Sequence, residues 1–190
     1  MALTIAVKSI QSLDDSTEWG ADEPYVLVTG VDLSQLIPHV EVTLYGPWAD
    51  VDKGETHQTG VFLPFWGLDN RTAVAIANPS SVIFVVSVME NDDGKPGALR
   101  TLVKAAAVAS LAASNGMPRA TRVQKLLADI HGALGIPTGA PNFDDIVGSK
   151  ELVLTPPDLV RPPGGRRVKT LDFAGGDEGT FRVAVELAFV

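Results

Sequence analysis

Near its C-terminal end the chain alternates without interruption: Phe181, Val183, Val185, Leu187 and Phe189 are apolar, with Arg182, Ala184, Glu186 and Ala188 between them. A period of two belongs to a strand with one face on a core and the other turned away from it. The same period marks Leu3, Ile5 and Val7 against Thr4, Ala6 and Lys8, and Val40, Val42 and Leu44 against Glu41, Thr43 and Tyr45. The apolar run at 25–28, ended by Gly30, predicts another strand, and Val74 with Ile76 predicts one that stops at Asn78-Pro79. The nearly continuous β-branched run at 82–89 reads as a central strand. Leu171 and Phe173, followed by Gly175-Gly176-Asp177, make the final alternation one arm of a hairpin.

In the middle of the chain the period changes to that of a helix. Residues 97–114 are rich in Ala and Leu, with Leu99, Leu102, Val103 and Ala106 at helical spacing and a stop at Asn115-Gly116. A second helix places Val123, Leu126, Leu127, Ile130 and Leu134 on one face, Arg122, Lys125 and Asp129 elsewhere, and closes at Gly135 and Pro137. The fold class expected is mainly β: an antiparallel β-sandwich with a helical hairpin inserted at about 97–140, all of 1–190 forming one domain. The Pro/Gly-rich stretch 156–165 is a loop between strands. Replacing 97–140 by a short loop is expected to leave the sandwich folded.

Composition narrows the function. With 190 residues, 45% hydrophobic and 20% charged, the chain can bury a sizeable core. It has no cysteine, which removes disulfides, thiolate-bound metals and a catalytic thiol. Neither a classical signal peptide nor a membrane-spanning segment is expected, because no basic start leads into a long apolar run. A soluble protein follows, with peripheral membrane attachment and non-classical secretion left open. A net charge of −8 disfavours nucleic acid as a partner. Serine-nucleophile, phosphate-cradling and dinucleotide signatures are missing, so a binding module is expected rather than an enzyme.

Ten of the 23 acids fall in three short segments: Asp14, Asp15, Glu18, Asp22 and Glu23; Glu90, Asp92 and Asp93; Asp144 and Asp145. A sandwich gathers its loops at its two ends, where such segments would repel one another unless a cation intervened. Calcium suits flexible carboxylate loops, since it takes six to eight oxygens at about 2.3–2.6 Å. Solvated acidic loops are the competing reading.

The order of residues around these acids is similar to that of C2 domains. Segment 13–28, LDDSTEWGADEPYVLV, resembles their first calcium-binding loop and the strand after it; 86–93, VSVMENDD, resembles the strand leading into the third loop; 144–154, DDIVGSKELVL, resembles the strand leaving it. The resemblance implies a C2-like sandwich with Glu23, Glu90, Asp92 and Asp145 as calcium ligands, and Asp14, Asp15 and Glu18 competing for the early-loop position. It implies Ca2+ as the bound ion and an anionic phospholipid membrane or a protein as the partner. Glutamate stands at two positions where the family usually has aspartate, and about fifty residues separate Asp92 from Asp145 where it has a few. The alternative is a structural, assembly or toxin-associated interaction protein in which calcium is only stabilising or absent.

Other features are weaker. Asp50-Val51-Asp52-Lys53-Gly54-Glu55 carries a fragment of an acid-x-acid-x-Gly pattern and is read as a turn; His39, His57 and His131 are too scattered for a zinc site. Arg161, Arg166, Arg167 and Lys169 form a basic cluster that could meet phosphate or simply be a solvated turn. Trp19, Trp48 and Trp66 could plug the sandwich or anchor a partner.

Overall fold

The computed structural model describes residues 1–14, 16, 22–67, 72–139 and 144–190. Along them run strands β1 (Leu3–Asp14), β2 (Pro24–Asp32), β3 (His39–Tyr45), β4 (Thr56–Gln58) and β5 (Val82–Glu90), then helices α1 (Pro96–Ala113) and α2 (Arg119–Leu134), then β6 (Asp145–Glu151), β7 (Arg166–Ala174) and β8 (Thr180–Phe189). The strands form two antiparallel four-stranded sheets, ordered β4-β1-β8-β7 and β3-β2-β5-β6. The mainly β sandwich carrying a helical pair is therefore observed.

The alternating residues do what their period requires. In β8 the five apolar side chains are buried and the residues between them are half-buried. In β1 a register shift between Val7 and Ser9 moves the phase by one residue, so Ile10 joins Leu3, Ile5 and Val7 in the core. These residues meet Val26, Val28, Phe84, Val86 and Val88 of the second sheet, and Phe84 takes edge-on contacts from Phe65 and Trp66 at 5.3 and 5.6 Å.

Every residue of β5 is buried, which a two-layer sandwich would not produce. The second face of its sheet is covered by the helices: Tyr25, Leu27, Ile83, Val85 and Met89 pack with Leu99, Val103, Val123, Leu126 and Ile130. The molecule thus has three layers, and the helical pair is one of them. This packing argues against the expectation that 97–140 is dispensable, since its removal would bare Tyr25, Leu27, Ile83, Val85 and Met89 on the outer face of the sheet.

Both ends of the helical layer are fastened. Arg119, at the start of α2, donates to the Val82 carbonyl at 2.9 Å and to Glu151 at 2.7 Å. At the other end the Lys95 amide donates to Thr138 Oγ1 at 3.0 Å. Gly139 lies so close to Asp93 that a Cβ there would sit 2.0 Å from the Asp93 carbonyl oxygen, so only glycine allows the two connecting segments to cross.

Three local expectations change. Val74 and Ile76 form no strand; Val74 makes a single bridge to Leu3, with its amide 3.0 Å from the Leu3 carbonyl. β4 escaped notice because three residues, Thr56 to Gln58, are too few to show a period; they pair with β1 at Ile10 and His57. β2 runs past Gly30 to Asp32, because Gly30 is paired on both sides, with Glu41 and Phe84.

Candidate binding site at the acidic end

The antiparallel order of β2, β5 and β6 brings residues distant in sequence to one end. Glu90, the last residue of β5, stands opposite Pro24 on one side and Asp145 on the other. Glu23 immediately precedes β2; its amide donates to Glu90 Oε1 at 3.2 Å, and its carboxylate accepts from Asn91 Nδ2 at 3.1 Å. Glu90 is only 6% exposed. The strand pairing thus brings Glu23, Glu90 and Asp145 to one end, and Asp92 lies two residues beyond β5.

Asp14 goes elsewhere. It closes β1, is exposed, and forms an ion pair with Lys53 at 2.7 Å. Lys53 belongs to the turn at 50–54, in which Asp50 and Gly54 take positive φ of 55° and 87°. Asp15 and Glu18 lie outside the described residues, as does Trp19.

Sequence reasoning counted the residue that ties this end together among the clustered acids but did not choose it as a ligand. Asp144, one position before the chosen Asp145, accepts from the Tyr25 hydroxyl at 2.6 Å and from the Asp92 amide at 3.3 Å. A Cβ on Gly94 would fall 1.9 Å from Asp144 Oδ1, so the chain leaving β5 lies directly against this carboxylate. The acid-apolar-apolar-Gly spacing pointed to Asp145; nothing in the pattern marked its neighbour. Tyr25 also carries a signal that only packing reveals. Burial, the hydrogen bond to Asp144 and the charges of Asp144 and Glu90 push its phenol well above the usual tyrosine range. Asp22, 3% exposed, accepts the Ser16 amide at 3.3 Å while its backbone bridges to Val51.

These hydrogen bonds bear on whether the residues fit calcium. The Asp144 carboxylate is held by a phenol and an amide, and that of Glu23 by the Asn91 side chain. Among the described residues no group of three or more His, Asp or Glu side chains is placed to hold a metal ion.

The remaining candidates resolve into structural contacts. Asp158, 6% exposed, takes Lys169 at 2.6 Å and Arg167 at 3.3 Å, and Arg166 pairs with Glu186 at 3.4 Å. Three of the four members of the basic cluster are thus ion-paired within the chain, two of them sharing one carboxylate. Trp66 is buried and donates its indole N–H to the Val74 carbonyl at 2.9 Å, while Trp48 packs half-buried against the core. His39 opens β3, His57 lies in β4 and His131 in the last turn of α2, on three different elements.

No family model and no curated protein matches the chain. Two solved structures are similar to it. One is a C2 domain of plant Extended Synaptotagmin 1, with 11% identity over 100% of this chain and 95% of that one, and a TM-score of 0.41. The other is CC2D1B, which acts during the mitotic reformation of the nuclear envelope, with 10% identity over 99% of this chain and 54% of that one, and a TM-score of 0.43. No described helix is long and apolar enough to cross a membrane.

Proposed function

We propose that this protein is a non-catalytic binding module that engages a protein partner through its surface and does not depend on calcium for its integrity. The observation that supports this reading is the hydrogen-bonded closure of the acidic end. Asp144 joins Tyr25 of β2 to the Asp92 amide beyond β5, and the Glu23 amide reaches Glu90, so neutral donors of the chain itself link the segments that a cation would otherwise have to hold. Each Asp144 oxygen accepts one of these donors, so the segments are held to one another by the chain's own hydrogen bonds without a cation between them.

A second reading is favoured by the gathering of Glu23, Glu90, Asp92 and Asp145 at one end. In it, Ca2+ binds there together with Asp14, Asp15 or Glu18, and the loaded end attaches peripherally to anionic phospholipid. Calorimetric titration of the intact chain with calcium separates the two. The first reading expects no saturable heat in the micromolar to millimolar range. The second expects binding that Asp92→Asn and Asp145→Asn weaken strongly and Asp50→Asn leaves alone, together with calcium-dependent attachment to anionic vesicles that falls with salt.

A further inference from the structure

In β1, Val7 pairs with Val185 and Ser9 with Ala184, so Lys8 between them is the extra residue of a bulge. A bulge re-aims a side chain. Lys8 is exposed and forms no ion pair among the described residues. Beside it the chain after β4 leaves the edge of β1 and returns: the Thr59 amide donates to the Lys8 carbonyl at 3.0 Å and the Phe65 amide to the Ile5 carbonyl at 2.8 Å. Between these two points the Tyr45 hydroxyl donates to the Leu63 carbonyl. The loop so fastened turns Val61 and Phe62 into solvent, 76% and 58% exposed. They are presented without a partner having to order them.

Phe62 and Lys8 wall a cleft of about 170 Å³ on the first sheet, with Ala6, Glu186 and Arg166 also lining it. Arg166 meets Glu186 through one nitrogen at 3.4 Å and its side chain is 71% exposed, which leaves most of its five donors unused. Arg161, the member of the basic cluster without an ion pair, stands close by: a Cβ on Gly165, the residue before Arg166, would lie 3.4 Å from its Nη2. Cations therefore outnumber the single carboxylate here, in a chain whose net charge is −8.

We propose that this cleft docks an acidic peptide segment of a protein partner, with a carboxylate of the segment between Lys8 and Arg166 and a neighbouring apolar side chain against Phe62. This names the partner chemistry for the protein-binding reading above and rests on that reading. Charge complementarity selects the occupant, and the local charge decides it. Lys8 stands six residues before Asp14 on β1, about 20 Å along the strand and more than twice the screening length of about 8 Å. A short segment in the cleft thus meets its cations and not the acids at the far end of the strand. A second copy would bring another net charge of −8, and an anionic bilayer an extended charged plane, so both meet the repulsion of the whole molecule. A bilayer would also press its phosphates on Glu186, whereas a peptide offers that carboxylate its backbone N–H groups. The edge of β1 is already occupied by Thr59 and Phe65, so side chains make the contact and no strand is added.

Fluorescence anisotropy on the intact chain tests this with three labelled probes: a short peptide of Glu and Leu, the same peptide with Gln in place of Glu, and the same with Lys. The acidic peptide should bind at least about tenfold more tightly than the other two, and less tightly as salt rises from about 0.05 M to about 0.5 M. Lys8→Glu and Phe62→Ser should each weaken that binding about fivefold or more at an unchanged melting temperature, since both side chains are exposed. Lys53→Glu, at an exposed cation beside Asp14, should bind as the parent does. Equal affinity for the three peptides, or a Lys8→Glu variant that binds the acidic one like the parent, would overturn the proposal. So would attachment to anionic phospholipid vesicles that needs Lys8 and Phe62 in a chain that binds none of the peptides. Acidic-peptide binding indifferent to both residues would overturn this site and leave the protein-binding reading standing, which the calcium titration tests separately.

Discussion

Tyr25 and Asp144 show how much can depend on one hydrogen bond between elements. The phenol is buried beneath the helical layer and donates at 2.6 Å to a carboxylate that also accepts from the Asp92 amide. Tyr25→Phe should cost about 1–3 kcal/mol, the penalty of leaving a part-buried acceptor short of a donor, read from urea unfolding. The folded phenol holds its proton above the pH at which the unfolded one loses it, so the native state binds more protons above about pH 10. Stability should therefore fall from about pH 10 upward in the parent, and fall less in Tyr25→Phe. Asp158 works in the opposite direction. Burial would raise its pKa, but the Lys169 ammonium and the Thr155 amide and hydroxyl outweigh that and bring it down to about 2. Its contribution is present at neutral pH and lost as pH falls from about 4 to about 2, and Asp158→Asn should remove roughly 1–3 kcal/mol at pH 7 and flatten that acid limb. None of this was legible in the sequence. The motif spacing selected Asp145, which sits in the strand opposite Glu90, while the bond-forming residue is Asp144, one residue earlier.

At the scale of elements the sequence was more informative, because a strand or helix writes its period into consecutive residues. The alternation of β8, the run of β5 and the two helices were all readable, within a residue at both ends of α1 and at the close of α2, while the start of α2 at Arg119 was not marked. What periodicity could not show was which neighbour covers which face. A β-branched run such as 82–89 fits a central strand under either two or three layers, and only the contacts of Ile83, Val85 and Met89 with α1 and α2 decide it. β4 was missed for a related reason, since a short edge strand is defined by pairing with β1 rather than by pattern. The three-layer arrangement makes a prediction of its own. Leu126 of α2 is fully buried against the outer face of the sheet, so Leu126→Ala should cost about 2–5 kcal/mol in thermal or urea unfolding. Exchanging 97–140 for a glycine-rich loop should give an insoluble or unfolded chain, visible as lost dispersion in amide spectra, because Tyr25, Leu27, Ile83, Val85 and Met89 would be bared together. A soluble, cooperatively folding product would restore the view of the helices as a removable appendage.

The whole molecule is polarised. Acids gather where β2 begins, β5 ends and β6 begins; at the far end Arg119 pins α2 to Val82 and Glu151, and Leu36 and Ile37 stand in solvent. The charge pattern of the first end was visible in the sequence, but its internal closure was not, because hydrogen bonds between Glu23 and Glu90 or Tyr25 and Asp144 cross 67 and 119 residues. That closure is the basis for the proposal of a binding module that stands without calcium. Thermal unfolding of the intact chain in millimolar calcium and in excess chelator tests it most directly. Coincident melting curves are the result expected. Calcium held in the native acidic end at 100 times its Kd would instead add about 2.7 kcal/mol, which for a chain of this size raises Tm by roughly 5–10 °C, and a rise of that size with calcium, not reproduced by magnesium, would contradict the account.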